Sequence, residues 1–336
     1  DTARVSVDAT LAGRGSIEAT LGGQPLRPEG GDGSHRALSI TLGDPRLWSA
    51  EDPYLYDLKL RVFDEVGSLV EFISQKVGIR RFAIEDGLLK INGERVVFRG
   101  VNRHEFGVNG RVVTREETAA DLELLKRCGV NAIRTSHYPN NTFFYELADE
   151  YGFYVVDEMN VETHGLWDEI KVGRRALEDA VPGDDLQWLP ALRRRAQAMF
   201  QRDKNHPSIV MWSLGNESLG GSNFAQIAEE LRAQDSRPIH YEGVTEDPRW
   251  PDTTDVTSHM YTPAAKVETH LRTNRDKPFI LCEFAHAMGN SFGGVDRYMD
   301  LARRDPLFQG GFVWDFADQA VKVQDRYGQH HWGYGG

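Results

Sequence analysis

The stretch Ile209-Val-Met-Trp-Ser-Leu-Gly-Asn-Glu217 organises the chain: an apolar run stops at Gly215 and delivers an amide and a carboxylate side by side. Residues 209–214 are too few for a buried helix, lie between Pro207 and Gly215, and begin with β-branched side chains. That pattern predicts a strand buried on both faces, as in a parallel sheet. Loops at the C-terminal ends of such strands converge on one crevice, so Asn216 and Glu217 fall where a site is expected.

Working outward, the same strand–loop–helix unit recurs from Val96 onward. Strands are predicted at 96–101, 131–134, 153–156, 209–214, 238–241, 256–259, 279–282 and 311–314. Helices are predicted at 116–128, 142–151, 189–202, 223–234, 264–272 and 295–303, the first carrying a capping-box signature in Thr114 and Glu117. This α/β alternation predicts a (β/α)8 TIM barrel or a doubly wound sheet, and no helix follows the eighth strand. Residues 1–85 instead alternate with period two between Gly and Pro clusters, the pattern of a small all-β, immunoglobulin-like sandwich. The expected domains are therefore a sandwich at 1–85 and a barrel at 86–336, truncated at its C-terminal end. The glycine-rich stretch 28–34 is expected to be a flexible hairpin tip or loop and not a domain linker. The start at Asp1 and the finish at Gly335-Gly336 read as cuts through something longer.

Acids, imidazoles and aromatics follow nearly every predicted strand: His104-Glu105, His137, Asp157-Glu158 with Asn160, Glu162 and His164, Asn216-Glu217, Glu242, His259 with Tyr261, Glu283 with His286 and Asn290, and Trp314-Asp315. A closed barrel brings them into one polar bowl, whereas an open sheet spreads them over two crevices. Two carboxylates in a shared low-dielectric pocket suit acid/base or nucleophilic work, one held protonated and the other ionised. Glycoside hydrolysis is best served by such a pair among aromatics, because indole faces stack on sugar rings and the oxocarbenium-like transition state favours a nearby negative charge. The blander readings are that Glu217 and Glu283 pair with rim arginines such as Arg103 and Arg134, that His104, His137 and His286 are satisfied rim histidines, and that Trp212 is core.

Composition narrows the partners. A net charge of -12 argues against nucleic acid, and Arg193-Arg194-Arg195 reads as the solvated face of a helix. No run of about 18 apolar residues and no signal-like start appear, so no membrane association is expected. Cys128 and Cys282, far apart and in apolar stretches, are expected to be buried free thiols in a reducing compartment, with no CxxC spacing for zinc.

Longer motifs carry a resemblance: Gly100-Val-Asn-Arg-His-Glu105, Thr135-Ser-His-Tyr-Pro-Asn140, Val155-Val-Asp-Glu-Met-Asn-Val-Glu-Thr-His-Gly165, Arg202-Asp-Lys-Asn-His-Pro207, Trp212-Ser-Leu-Gly-Asn-Glu217, Leu281-Cys-Glu-Phe-Ala-His-Ala-Met-Gly-Asn290 and Gly310-Gly-Phe-Val-Trp-Asp315. In this order they resemble the β-galactosidases of glycoside hydrolase family 2, of the large cytoplasmic bacterial type. Leu47-Trp-Ser-Ala-Glu-Asp-Pro-Tyr-Leu-Tyr56 resembles the sandwich segment that precedes the family's barrel.

The resemblance implies a retaining mechanism on terminal β-galactosides such as lactose, with Glu217 as acid/base and Glu283 as nucleophile. It implies Glu162, His164 and Glu217 as ligands of Mg2+, and His104, His137, Asn216, Tyr261, His286 and Trp314 as the lining of the galactose subsite. It further implies a cytoplasmic homo-oligomer, with Na+ at a site partly built from segments beyond this chain. Family members are about three times as long, so their flanking β domains have no counterpart here. The rival readings are a β-glucuronidase or β-mannosidase of the same family, an inactive carbohydrate-binding fragment that needs complementing polypeptide, and a metal-dependent hydrolase of another barrel family.

Overall fold

In the computed structural model, which describes residues 2–31 and 34–334, the alternating pattern forms eight parallel barrel strands. Of the expected loop at 28–34, residues 32 and 33 lie outside the described residues, as do Gly335 and Gly336. The barrel strands are β1 (Phe98–Asn102), β2 (Ala132–Arg134), β3 (Tyr154–Glu158) and β4 (Ile209–Ser213), then β5 (Ile239–His240), β6 (Thr257–Met260), β7 (Phe279–Phe284) and β8 (Phe308–Val313). Their hydrogen-bonded order is β5-β4-β3-β2-β1-β8-β7-β6. The ladder thus wraps round through β1 and β8 and stops short of a β5–β6 pairing. Across that gap, Asp255 N–H donates to Ile239 O at 2.8 Å and the rings and hydroxyls of His240 and Ser258 meet at 2.8 Å. The doubly wound alternative is therefore discarded, because a doubly wound sheet does not pair its first strand with its last.

Every residue of β2, β3, β4 and β7 is buried, which explains why these strands are apolar without alternation up to the polar residues near their C-terminal ends. The helices α1 (Arg115–Arg127), α2 (Thr142–Tyr151), α3 (His164–Lys171), α4 (Leu189–Asp203), α5 (Ser222–Arg232), α6 (Ala264–Leu271) and α7 (Val295–Arg304) pack outside or cover the loops. The capping box at α1 is present: Thr114 Oγ1 accepts the Glu117 N–H at 3.1 Å and Glu117 Oε2 accepts the Thr114 N–H at 2.8 Å. One core cluster joins Leu122, Leu125, Phe144, Phe153, Met199 and Phe200 with Ile209, Trp212 and Phe224.

Three expectations are corrected. Strand β8 begins at Phe308, not 311, because Gly310 is a packing residue: a Cβ there would lie 2.1 Å from Phe98 O. Helix α3 occupies residues expected to be loop. Cys128 is exposed, while Cys282 is buried as expected. The buried stripe of α1 ends with Leu125, and Cys128 caps the helix beyond it.

The chain divides into two compact units, one reaching to Arg80 together with Asn205–Pro207, the other comprising Arg81–Lys204 and the chain from Ser208. The first is built on two antiparallel sheets. One orders Thr2–Thr10, His35–Gly43 and Arg27–Gly30; the other orders Gln24–Pro25, Ser16–Leu21, Tyr56–Phe63 and Leu69–Val77. Their core is Ala19, Leu21, Leu26, Leu38, Leu42, Leu58 and Leu60. Among the described residues no helix is long and apolar enough to cross a membrane.

Candidate active site

Arg134, the last residue of β2, is fully buried and ties four strand ends together. Its Nε donates to Glu158 Oε2 at 2.7 Å and its Nη2 to Asn216 Oδ1 at 2.8 Å. Its Nη1 donates to both Asn102 Oδ1 and Glu283 Oε1, each at 2.9 Å. Burial opposes its charge, but the neighbouring carboxylates, Glu158 first, overcome that and raise its pKa. A planar fork with five donors is the side chain that can serve four acceptors at once.

Glu283 on β7 is held from its other side by Tyr261, whose hydroxyl donates to Oε2 at 2.6 Å. The Tyr261 N–H also donates to Glu283 O at 2.8 Å, with Tyr261 in the left-handed region at φ 49°. Burial and the Glu283 charge push the Tyr261 hydroxyl pKa up, so the phenol stays a donor. His137 Nδ1 meets Glu158 Oε1 at 2.7 Å, and its Nε2 lies 3.7 Å from Glu283 Oε1.

Glu217 follows β4 through Gly215, which sits at φ 136° with Val161 O only 2.7 Å from where a Cβ would stand. Glycine there lets the Asn216 N–H reach Val161 O at 2.8 Å, which joins the β4 loop to the one carrying Glu162. The Glu217 carboxyl is buried, its Oε2 touches His164 Nδ1, and its pKa is raised to about 7. Burial is the larger cause and the charge of Glu283 the next. Glu162 Oε1 lies 3.6 Å from His164 Nδ1 and accepts from Asn216 Nδ2 at 3.3 Å. One ligand atom from each of Glu162, His164 and Glu217 falls within 4.8 Å of the others.

A ring wall completes the bowl. Trp314 stacks on His137 with centroids 5.2 Å apart and planes 7° from parallel, and meets His104 edge-on at 5.5 Å. Burial first, then the neighbouring His137 and Arg134 respectively, lowers the pKa of His104 and of His137 to about 4. Each ring is therefore neutral at pH 7 and offers one donor and one acceptor, the pair of roles a hydroxyl needs. His286 is exposed, its ring 6.0 Å from that of Tyr261.

All the singled-out residues, His104, His137, Glu162, His164, Asn216, Glu217, Tyr261, Glu283, His286 and Trp314, thus cluster through these contacts. Glu105 and His259, also at strand ends, do not join them. Glu105 accepts the Asn141 N–H at 2.9 Å, and His259 packs on His270 and Phe279. Arg103 pairs with Asp121 at 2.8 Å rather than with a strand-end acid, and Trp212 is core. In the sequence alone Glu158 and Glu242 have no assigned role and Arg134 stands only as a rim partner. The signal for Arg134 is a charged residue at the end of an otherwise apolar strand.

The fold and site define a class: an eight-stranded parallel barrel with an acid pair and aromatic rings at the C-terminal strand ends. Residues 82–336 match the TIM barrel domain of glycosyl hydrolases family 2, and residues 1–80 match a further domain of glycosyl hydrolases family 2. The chain belongs to that family. It is 49% identical over 301 residues to a β-galactosidase of Halalkalibacterium halodurans, covering 89% of this chain and 30% of that protein. It is 45% identical over 331 residues to a β-galactosidase of Streptococcus thermophilus, covering 91% and 32%. The chain therefore spans about a third of the length of these relatives. Among solved structures, the β-glucuronidase of Bifidobacterium dentium superposes with a TM-score of 0.76 at 24% identity, covering 95% of this chain and 57% of the other. At that identity the likeness speaks for the fold alone.

Proposed function

We propose that the barrel is the catalytic part of a retaining β-galactosidase, with Glu217 as general acid/base and Glu283 as nucleophile. The observation that carries this reading is the contrast between the two carboxyls. Glu283 accepts hydrogen bonds from a guanidinium and a phenol, whereas Glu217 is pushed up to about 7 by burial and by Glu283 itself. The choice of sugar follows the relatives named β-galactosidase at 40–49% identity.

In the first step Glu283 attacks the anomeric carbon while Glu217 gives its proton to the departing glycosidic oxygen, leaving a galactosyl ester on Glu283. Esterification removes the Glu283 charge, one of the causes holding the Glu217 proton, so Glu217 is released to act as a base. It then takes a proton from the water that attacks the anomeric carbon, and Glu283 leaves as carboxylate. His104, His137, Asn216 and His286 supply donors and acceptors to the sugar hydroxyls beside the face of Trp314.

The donor set of Glu162, His164 and Glu217 fits a divalent cation such as magnesium, because two carboxylate oxygens and an imidazole nitrogen converge. When bound, the ion supplies positive charge beside the acid/base carboxyl. The alternative sugar, a glucuronide, is separated by the same experiment that tests the mechanism. A deoxyfluoro galactosyl fluoride traps the ester, and peptide mapping should find it on Glu283. An adduct on another residue would overturn the assignment, and trapping only by the glucuronyl analogue would transfer it to a β-glucuronidase.

A further inference from the structure

The reaction scheme leaves unused a second acid that holds the backbone of Glu217. Glu242 follows β5 and opens a 3-10 turn over Glu242–Thr245. Glu242 is 6% exposed, and its Oε1 accepts the backbone N–H of Glu217 at 2.6 Å. Glu217 stands at φ 36° and Leu219 at φ 58°, both in the left-handed region. Non-glycine residues persist there only when their surroundings over-determine the conformation.

The surroundings do so at Asn216, Glu217 and Leu219. The Asn216 N–H is taken by Val161 O, the Asn216 carbonyl accepts from Ser218 Oγ at 2.8 Å, and the Leu219 carbonyl accepts from the Tyr241 hydroxyl. The N–H of Glu217 itself is taken by Glu242. The second oxygen of Glu242, Oε2, is buried with no hydrogen-bond partner among the described residues. A buried carboxyl with one oxygen unpaired is an unfavourable way to fill space, since an apolar side chain of that size carries no such penalty. A glutamate at this position is therefore accounted for by its contact with the Glu217 N–H.

We infer that Glu242 is a positioning residue for the acid/base: by accepting the main-chain N–H it fixes the left-handed turn that aims the Glu217 carboxyl at the departing oxygen. This rests on the reading of Glu217 as acid/base, and the test separates the two. Misaiming the acid matters in proportion to how much help the leaving group needs, whereas a general loss of structure slows all substrates alike.

The experiment compares Glu242→Met, which has no acceptor for the N–H, with Glu242→Gln, which keeps one, in the full-length, magnesium-loaded enzyme. Each is assayed on an alkyl β-galactoside and on a dinitrophenyl β-galactoside, with and without azide, alongside Glu217→Gln as the reference. Glu242→Met should lose roughly tenfold to a hundredfold in kcat/KM on the alkyl substrate, part of the about 10²–10⁴ that general acid catalysis supplies. It should lose only a few-fold on the dinitrophenyl substrate, azide should restore its turnover there, and Glu242→Gln should recover most of the alkyl activity. Equal losses on both substrates, or no loss, would overturn the positioning role. If Glu242→Met does not fold, Glu242→Asp, whose shorter arm withdraws the acceptor, is held to the same two outcomes. If Glu217→Gln itself lacks leaving-group selectivity and azide rescue, the acid/base reading fails first. If it shows both and the Glu242 variants do not, only the role of Glu242 fails.

Discussion

Arg134 and Glu283 form a buried ion pair, Nη1 to Oε1 at 2.9 Å, that joins the ends of β2 and β7. The same guanidinium pairs with Glu158 at 2.7 Å, so one cation serves two buried carboxyls. Replacing it with methionine strands both. Arg134→Met should destabilise the protein by about 3–5 kcal/mol, the usual consequence of removing one partner from a buried pair. Urea unfolding measures this, and a loss below about 1 kcal/mol, the range of exposed pairs, would contradict the hub.

The Tyr261 hydroxyl orients Glu283 without holding the chain together, since its ring is partly exposed. Tyr261→Phe should leave the melting temperature nearly unchanged. It should lower kcat roughly tenfold to a hundredfold, in line with the about 1.5–3 kcal/mol of a hydrogen bond to a charged group. Steady-state kinetics checks this; unaltered kcat would remove Tyr261 from the site's working parts.

The pH dependence follows from Glu217. Its carboxyl is raised from 4.5 to about 7, so the proton needed by the departing oxygen is present below that value and lost above it. In chelator, kcat/KM on a substrate with a poor leaving group should fall as pH rises through about 7. A dinitrophenyl glycoside should show a much weaker fall, because it leaves without a proton. An alkaline limb equally strong for both would assign the titration to another group.

Magnesium binding should raise the melting temperature, because an ion that binds only the folded state stabilises it by about 2.7 kcal/mol at a hundred times its Kd. Glu162→Gln removes the charge of one of the three converging ligands, and the magnesium-dependent shift should shrink strongly in that variant. Differential scanning calorimetry across a magnesium titration reads this. An unchanged shift would place the ion elsewhere.

Much of the barrel was legible because burial leaves a mark on composition. A strand covered on both faces must be apolar throughout, and residues 209–214 are, so the strand and its polar end could be read directly. The capping box of α1 was readable for a similar reason, since Thr114 and Glu117 satisfy each other within one turn. Strand β8 started earlier than expected because Gly310 and Gly311, which look like a turn, are there to let neighbouring backbones approach. Helix α3 carries no buried residue, so no periodic stripe announces it. Cys128 shows the opposite error: helical spacing continued on paper after the helix had ended.

The sequence by itself determined the order of the barrel strands and of the helices other than α3, the short all-β unit before them, and the kinds of side chain placed at the strand ends. These are local properties, set by periodicity, turn residues and what each segment must bury. Only the tertiary structure decided that Arg134 reaches Asn102, Glu158, Asn216 and Glu283 at once, that Tyr261 rather than His259 turns toward Glu283, and that Glu242 takes the Glu217 N–H. Those relations link residues from 22 to 149 positions apart in the chain. They depend on the curvature of the nearly closed sheet, which the pattern of any single segment cannot encode.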